Sequence, residues 1–540
     1  MNSQSNITLQ KKWIIIPLVF LYLLIVFISA WLCDDAYITF RTVDNFINGY
    51  GLTWNISERV QAYTHPLWMF FLSAFYFFTN EIYYTSITIS IIISCITVFL
   101  LLYKLSNSVL NSIVTGLILI LSKSFIDYST SGLENPLSHL LIVIFFITYF
   151  YKIKDDKKTF FLSFITALAM LNRSDYFLIF TPALLVNIFN GNKVKNILFT
   201  FAGFIPFIFW EVFSLFYYGF LIPNTAFAKL NTGISQIELI KQGCNYFLNS
   251  LYLDPLTLFA IATSITIVLY KKEYRFLPLI IGSVLYLLYI VIIGGDFMSG
   301  RFFSGLLLCS VIIISMIEIN FNKAILSIPI IFLLTLFTPN PNYLNNSSYG
   351  FGPKIVSSFN VGSKIFITNH NGIVDERFNY YYATGLLRNI YEKNLYNHPW
   401  IKTGISNKNN KINFFTKAQI GFIGFYSGSS VYVMDPYALS DPLLSKLPAT
   451  EYWLVGRKVP KDQRFWNIGH FTRKIPDGYI ETIKRGENKI ENESLKRYYN
   501  KLSFVIKGDL FDSERWIEII NLNLGKYDYL IKDYEKKLLK

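Results

Sequence analysis

The sequence predicts an α-helical polytopic membrane protein with about eleven transmembrane helices, re-entrant or interfacial helices, and a C-terminal α/β domain outside the membrane. Three observations carry that expectation. Of 540 residues, 53% are hydrophobic and 18% aromatic, with a mean hydropathy of +0.38, more apolar than a soluble surface of this size allows. Apolar runs long enough, or nearly so, to cross a bilayer recur near 13–32, 82–103, 108–122, 137–151, 159–171, 176–190, 197–217, 252–270, 276–293, 302–319 and 324–338. Basic residues gather in the short loops on one side of that series.

The first run follows Lys11 and Lys12, and no small-residue cleavage pattern precedes Asp34, so an uncleaved span is expected. Several runs are shorter than the ~20 residues of a perpendicular helix and must borrow flanking polar residues or a thinned bilayer. "HPLWMFFLSAFYFF", from His65, has the length of a re-entrant or interfacial segment, and Pro66 suits a first helical turn. With that segment not crossing, Lys104, 152–158, 192–195, 271–275 and Lys323 fall on one side, which the positive-inside rule makes cytoplasmic. The loops 33–81, 127–136, 172–175, 222–229 and 294–301 then face outward. From about Pro339 the apolar runs shorten and the odd span count leaves residues 339–540 outside as one accessory domain, after a transmembrane domain of 1–338. Within it "SKIFITN", "IGFIGFY" and "SSVYVMD" read as strands, and "RFNYYYATGLLRNIY" and "SERWIEIINLNL" as helices. A formal charge of +14 is accounted for by this topology, so no nucleic-acid partner is expected. Cys33, Cys95, Cys244 and Cys309 lack paired spacing and read as small apolar fillers.

The chemistry is expected in the outward loops. "WLCDDAYITFR" sets Asp34 and Asp35 directly after an apolar run, at what reads as a helix C-terminus, where the backbone dipole disfavours acids. A function is therefore sought for them. The residues that follow have an amphipathic pattern suited to an interfacial helix ending at Gly49, with Arg41 near enough to partner a carboxylate. Glu134, Arg173, Asp175, Asp296 and Arg301 lie at span ends on the same side and outline a polar cavity of mixed sign. Arg173 and Arg301 suit a phosphate, through the planar fork of the guanidinium, and a carboxylate suits deprotonation of a sugar hydroxyl. No P-loop, dinucleotide fingerprint, HExxH or GxSxG is present, which removes support for nucleotide and hydrolase chemistry.

"DDAYITFRTVDNFINGYGLTWNISERVQAYTHPLW", "TSGLENPL", "LNRSDYFL", "YYGFLIPNTAFAK" and "GGDFMSGRF", followed by "IGFIGFYSGSSVYVMDPYALSDPLLSKLPA" and "NIGHFTRKIPDGYIE", occur in this order along nearly the whole chain. As a series they resemble the membrane arabinofuranosyltransferases of the AftB type, in the glycosyltransferase C superfamily. The resemblance implies an enzyme of the bacterial cytoplasmic membrane that takes a sugar from a polyprenyl-phosphate donor and passes it to an outer acceptor, which in such families is a glycan, a lipopolysaccharide or a pilin-like protein. It maps the family's aspartate pair onto Asp34 and Asp35, one of them the acceptor-side base or an acid linked to Mg, Mn or Ca. Among residues of the matching segments, Arg41, His65, Asn224, Lys229 and His470 join the donor or substrate set. "LNRSD" carries Ser-Asp where relatives often show Pro-Glu, and "LENP" differs at its third position, which bears on Asp175 and Asn135. The competing expectations are a transferase of the same superfamily for another lipid-linked pentose or hexose of the mannose type, and a non-catalytic lipid-sugar flippase. A transporter should carry mid-membrane charges and repeated halves, and neither is seen.

Overall fold

The computed structural model describes residues 2–151, 155–336, 338, 372–449 and 468–538. The chain is mostly helical, with several apolar helices, as a helical membrane protein is. Each of the eleven expected crossings is a helix. Lys11–Ser29, Ile82–Leu105, Lys193–Tyr217 and Tyr274–Ile293 are long and apolar enough to cross a membrane, and Gln236–Leu253 with Pro255–Lys271, bent by 107°, passes as a broken pair. The remaining apolar helices, such as Val109–Leu121, Asn135–Phe150 and Arg301–Met316, are shorter. The run from Pro66 is a helix to Thr79, closed by Asn80 in the left-handed region.

Two compact units divide the described chain. The first comprises Met1–Cys33, Glu81–Phe207 and Ile237–Tyr396; the second comprises Asp34–Asn80, Ile208–Gln236 and Asn397–Lys540. The expected boundary at Pro339 lies outside the described residues, and these units are drawn on other lines because each core is built from distant stretches. In the first, helices pack closely enough that a side chain at Gly282 would overlap the backbone of Ile179. Val374 pairs its backbone with Phe297 and Ser299, and the helix Glu376–Thr384 places Thr384 against Leu32. In the second, Ile38, Trp54, Val60 and Ala62 share a hydrophobic core with Val433, Leu444, Leu495, Leu502 and Ile519. Its sheet is one parallel pair, β1 (Phe414–Thr416) and β2 (Tyr432–Met434), in register Phe414 to Tyr432.

Among the strand expectations, "SSVYVMD" contains β2, whereas "IGFIGFY" is the helix Gly421–Ser427. Its alternating apolar residues fit either period over so short a run, and close packing of its two glycines decides the outcome. "SKIFITN" lies outside the described residues. "RFNYYYATGLLRNIY" and "SERWIEIINLNL" are helical as expected.

Candidate functional site

Asp34 and Asp35 do not end a helix. The first helix stops at Ser29, residues 30–33 form an extended link, and Asp34–Ile47 is a new helix whose first turn holds both acids. The link is pinned within its own unit: Trp31 Nε1 donates to the Asp127 carbonyl at 2.8 Å, and Cys33 N–H to that of Ser131 at 3.0 Å. An N-terminal first turn is where the dipole favours carboxylates, so the dipole penalty expected from the sequence is reversed in sign. The electrostatic discomfort has another source. Asp34 is 7% exposed, and burial pushes its carboxyl up from 3.8 to about 7. The Phe422 N–H opposes that rise, the charge of Asp35 adds to it, and the Gly421 N–H opposes it again.

Those two N–H groups open the Gly421–Ser427 helix. Phe422 donates to Asp34 Oδ1 at 2.7 Å and Gly421 to Oδ2 at 3.3 Å. Glycine is required at 421 because an added Cβ would overlap the carbonyl oxygen of Asp34. At Gly424 a Cβ would stand 2.7 Å from the Trp54 ring. Both glycines of "IGFIGFY" thus let this short helix lie against the Asp34 helix. Tyr37 fills the remaining contact, its ring 4.7 Å from Phe422 and 5.4 Å from Phe425. Asp35 is only partly buried.

Arg41 does not serve as the carboxylate partner expected of it. Its guanidinium donates to the carbonyls of Trp54 (2.8 Å), Gly424 (2.5 Å) and Val431 (2.7 Å), with its carbon 4.4 Å from the centre of the Trp54 ring. Asn45 donates to the Thr53 and Trp54 carbonyls. The expected interfacial helix is therefore mostly buried, with Arg41 and the Asn45 amide nitrogen taken up by backbone carbonyls. Asn224 Nδ2 is likewise engaged by the carbonyls of Ala438, Leu439 and Asp441. His65 Nε2 sits 2.8 Å from Thr39 Oγ1, His470 packs edge-on to Tyr437, and Lys229 is exposed.

The other unit brings Glu134, Arg173, Asp175, Asp296 and Arg301 into one network. Arg173 holds Glu134 at 3.0 Å and Asp175 at 2.6 Å; Arg301 holds Glu134 at 3.0 Å and Asp296 at 3.5 Å. Tyr286 donates to Asp175 at 2.8 Å. Both guanidiniums expected to receive a phosphate are thus matched by carboxylates, and among the described residues of this network three acids face two bases. A phosphate approaching here meets net negative charge, whereas sugar hydroxyls, which donate as well as accept, find acceptors.

Sequence reasoning missed the buried acids of the tail. Asp435 accepts from the N–H groups of Tyr437, Leu439 and Ser440, and burial raises it to about 7. Asp441 accepts from Leu443, Leu444 and the Tyr479 hydroxyl and rises to about 8, again by burial. Asp-Pro in "MDPYALSDPLL" is the turn signal that could have marked both. Among the described residues no three His, Cys, Asp or Glu gather to hold a metal ion. Both oxygens of Asp34 accept a backbone N–H.

Fold and site together define a helical membrane protein with an anchored acid pair ahead of its second long apolar helix. Two curated relatives are both terminal β-(1→2)-arabinofuranosyltransferases. That of Mycobacterium tuberculosis is 27% identical over 327 residues, 52% of this chain and 51% of its own. That of Corynebacterium glutamicum is 24% identical over 341 residues, 54% of this chain and 48% of its own. The AftB-type resemblance is thereby borne out over about half of the chain, and the chain spans about half the length of the curated relatives it matches. No protein-family model matches the chain, and no solved structure does.

Proposed function

We propose that this protein is an integral-membrane glycosyltransferase of the cytoplasmic membrane, moving arabinofuranose from a polyprenyl-phosphate donor to an acceptor outside. The observation that carries the reading is the acid pair at a helix start, its first member Asp34 held by the Gly421 and Phe422 amides, in a chain similar to arabinofuranosyltransferases. An acceptor hydroxyl is far too weak an acid at neutral pH to attack unaided. A carboxylate takes its proton as the hydroxyl oxygen bonds to the anomeric carbon, and the phosphate departs with the electron pair of the broken bond. Anchoring of Asp34 by two amides favours it as the positioning member and the more exposed Asp35 as the base. The Glu134–Arg173–Arg301 network, with Asp175 and Asp296, is suited to the hydroxyls of a sugar. The gathering of basic residues in the loops of one side supports a topology in which the outward loops and residues 339–540 lie on the extracytoplasmic side. The acceptor is a glycan, a lipopolysaccharide or a pilin-like protein.

The test is to incubate purified protein with polyprenyl-phosphate sugars of several kinds and measure released polyprenyl phosphate. Turnover with the arabinofuranosyl donor and its loss by ~10²–10⁴-fold in Asp35→Asn, at unchanged melting temperature, is expected. Preferred turnover of another pentose or of a hexose would move the donor within the superfamily. Flipping of the lipid-linked sugar across vesicles without bond cleavage would replace the transferase by a flippase.

A further inference from the structure

A second polar site lies in the unit that holds Asp34. Immediately after the apolar helix Lys193–Tyr217, the segment from Tyr218 to Phe227 walls a small open cleft with Arg59, Gln61 and Lys446. Its inner volume of about 20 Å³ suffices for one water or one phosphate oxygen. Three donors meet there. Lys446 is 9% exposed, and its ammonium lies over two rings, 2.8 Å from the centre of Phe227 and 4.3 Å from that of Phe220, without a hydrogen-bond acceptor among the described residues. Gln61 is 4% exposed; its Oε1 accepts from Ser214 at 3.3 Å, and its amide nitrogen has no acceptor among the described residues. Arg59 spends Nε on the Tyr217 carbonyl and Nη2 on those of Val505 and Gly508, leaving Nη1 over. No carboxylate lines the cleft. Donors without acceptors among the described residues, in a lining with no acid, suit an anion.

The surroundings specify which anion. Ile222 lines the cleft while remaining half exposed, next to an equally exposed Leu221. The end of a membrane-crossing helix is the depth at which lipid phosphates lie. We infer that Lys446, with Gln61 and Arg59, forms a binding site for the phosphate of an isoprenoid lipid, whose chain leaves over Leu221 and Ile222. The inference rests on the transferase reading for its ligand and replaces Arg173 and Arg301 as the phosphate contacts, since those are already ion-paired. Burial holds the Lys446 amine well below the usual lysine range, with Asp528 opposing, and a bound anion would restore its charge.

The experiment is calorimetric titration of the detergent-solubilised full chain with farnesyl phosphate, farnesol and inorganic phosphate. Farnesyl phosphate should bind at least about tenfold tighter than farnesol, and Lys446→Gln should lose about tenfold or more of that affinity, the worth of a charge-assisted hydrogen bond. Lys446→Arg should retain most of it, and Lys402→Gln, an exposed charge control, all of it. If folded Lys446→Gln binds farnesyl phosphate like wild type, the site is not there. If that variant does not fold, Gln61→Glu is read instead: affinity about tenfold weaker upholds the site and unchanged affinity overturns it. Inorganic phosphate binding as tightly as farnesyl phosphate would overturn the lipid assignment. Failure of sugar transfer with every donor, while farnesyl phosphate still binds through Lys446, would sink the transferase reading and leave this one standing.

Discussion

Asp34, Asp435 and Asp441 share one condition: each is a carboxyl buried and tied to backbone N–H groups, yet lifted to about 7, 7 and 8. Their folded values stand above the ordinary 3.8, so the fold prefers their neutral forms. Their stabilising contribution is complete below about pH 4 and drains away as pH rises through 7 to 8. Melting temperature should therefore fall between pH 5 and 8.5, and Asp441→Asn should flatten that slope. A slope unchanged in the variant would mean that Asp441 ionises freely in the fold. At Gly421 the expectation is steric. Gly421→Ala drives a methyl group into the Asp34 carbonyl, and a loss of at least about 2 kcal/mol in denaturant unfolding should follow, with activity falling alongside.

At the scale of elements, the helix Asp34–Ile47 is held by its buried apolar side chains and by Arg41, whose fork closes on the carbonyls of Trp54, Gly424 and Val431. Arg41→Lys keeps the charge but cannot span them. Loss of about 3 kcal/mol is expected, checked by unfolding of purified protein, with a wild-type melting curve showing the fork to be dispensable. How far these elements could be read in advance depended on how local their cause is. Long apolar helices announce themselves, because twenty residues in a bilayer need little help from elsewhere. The break after Ser29 was not legible: apolar residues continue to Leu32, and what ends the helix is a set of bonds to residues a hundred positions away. The Gly421–Ser427 helix was misread as a strand for the same reason, since its partners Asp34 and Trp54 lie nearly four hundred residues upstream. Glu134, Arg173, Asp175, Asp296 and Arg301 share positions at the ends of expected spans, which sequence shows, while their ion pairing with one another is visible only from distances.

For the molecule as a whole, the two units each draw on the beginning and the later part of the chain. Lys123 meets Asp375 at 3.0 Å and Arg377 meets Asp127 at 3.0 Å, so residues 372–396 complete the first unit, as residues 397–540 complete the second. A chain cut after Thr338 should fail to give monodisperse protein in detergent; a well-behaved, folded fragment would show that residues 1–338 stand alone. Exported-phosphatase fusions after Asn340 should be active and cytoplasmic-type fluorescent fusions dark, and the opposite pattern would invert the topology and the shared outer face. The bond from Gly421 to Asp34 joins residues 387 positions apart. At ~5–20 residues added per second, a ribosome reaches Gly421 some ~20–80 s after it has made Asp34. Throughout that interval Asp34 is already synthesised and, in the proposed topology, translocated, but it still lacks the Gly421 and Phe422 amides that anchor it.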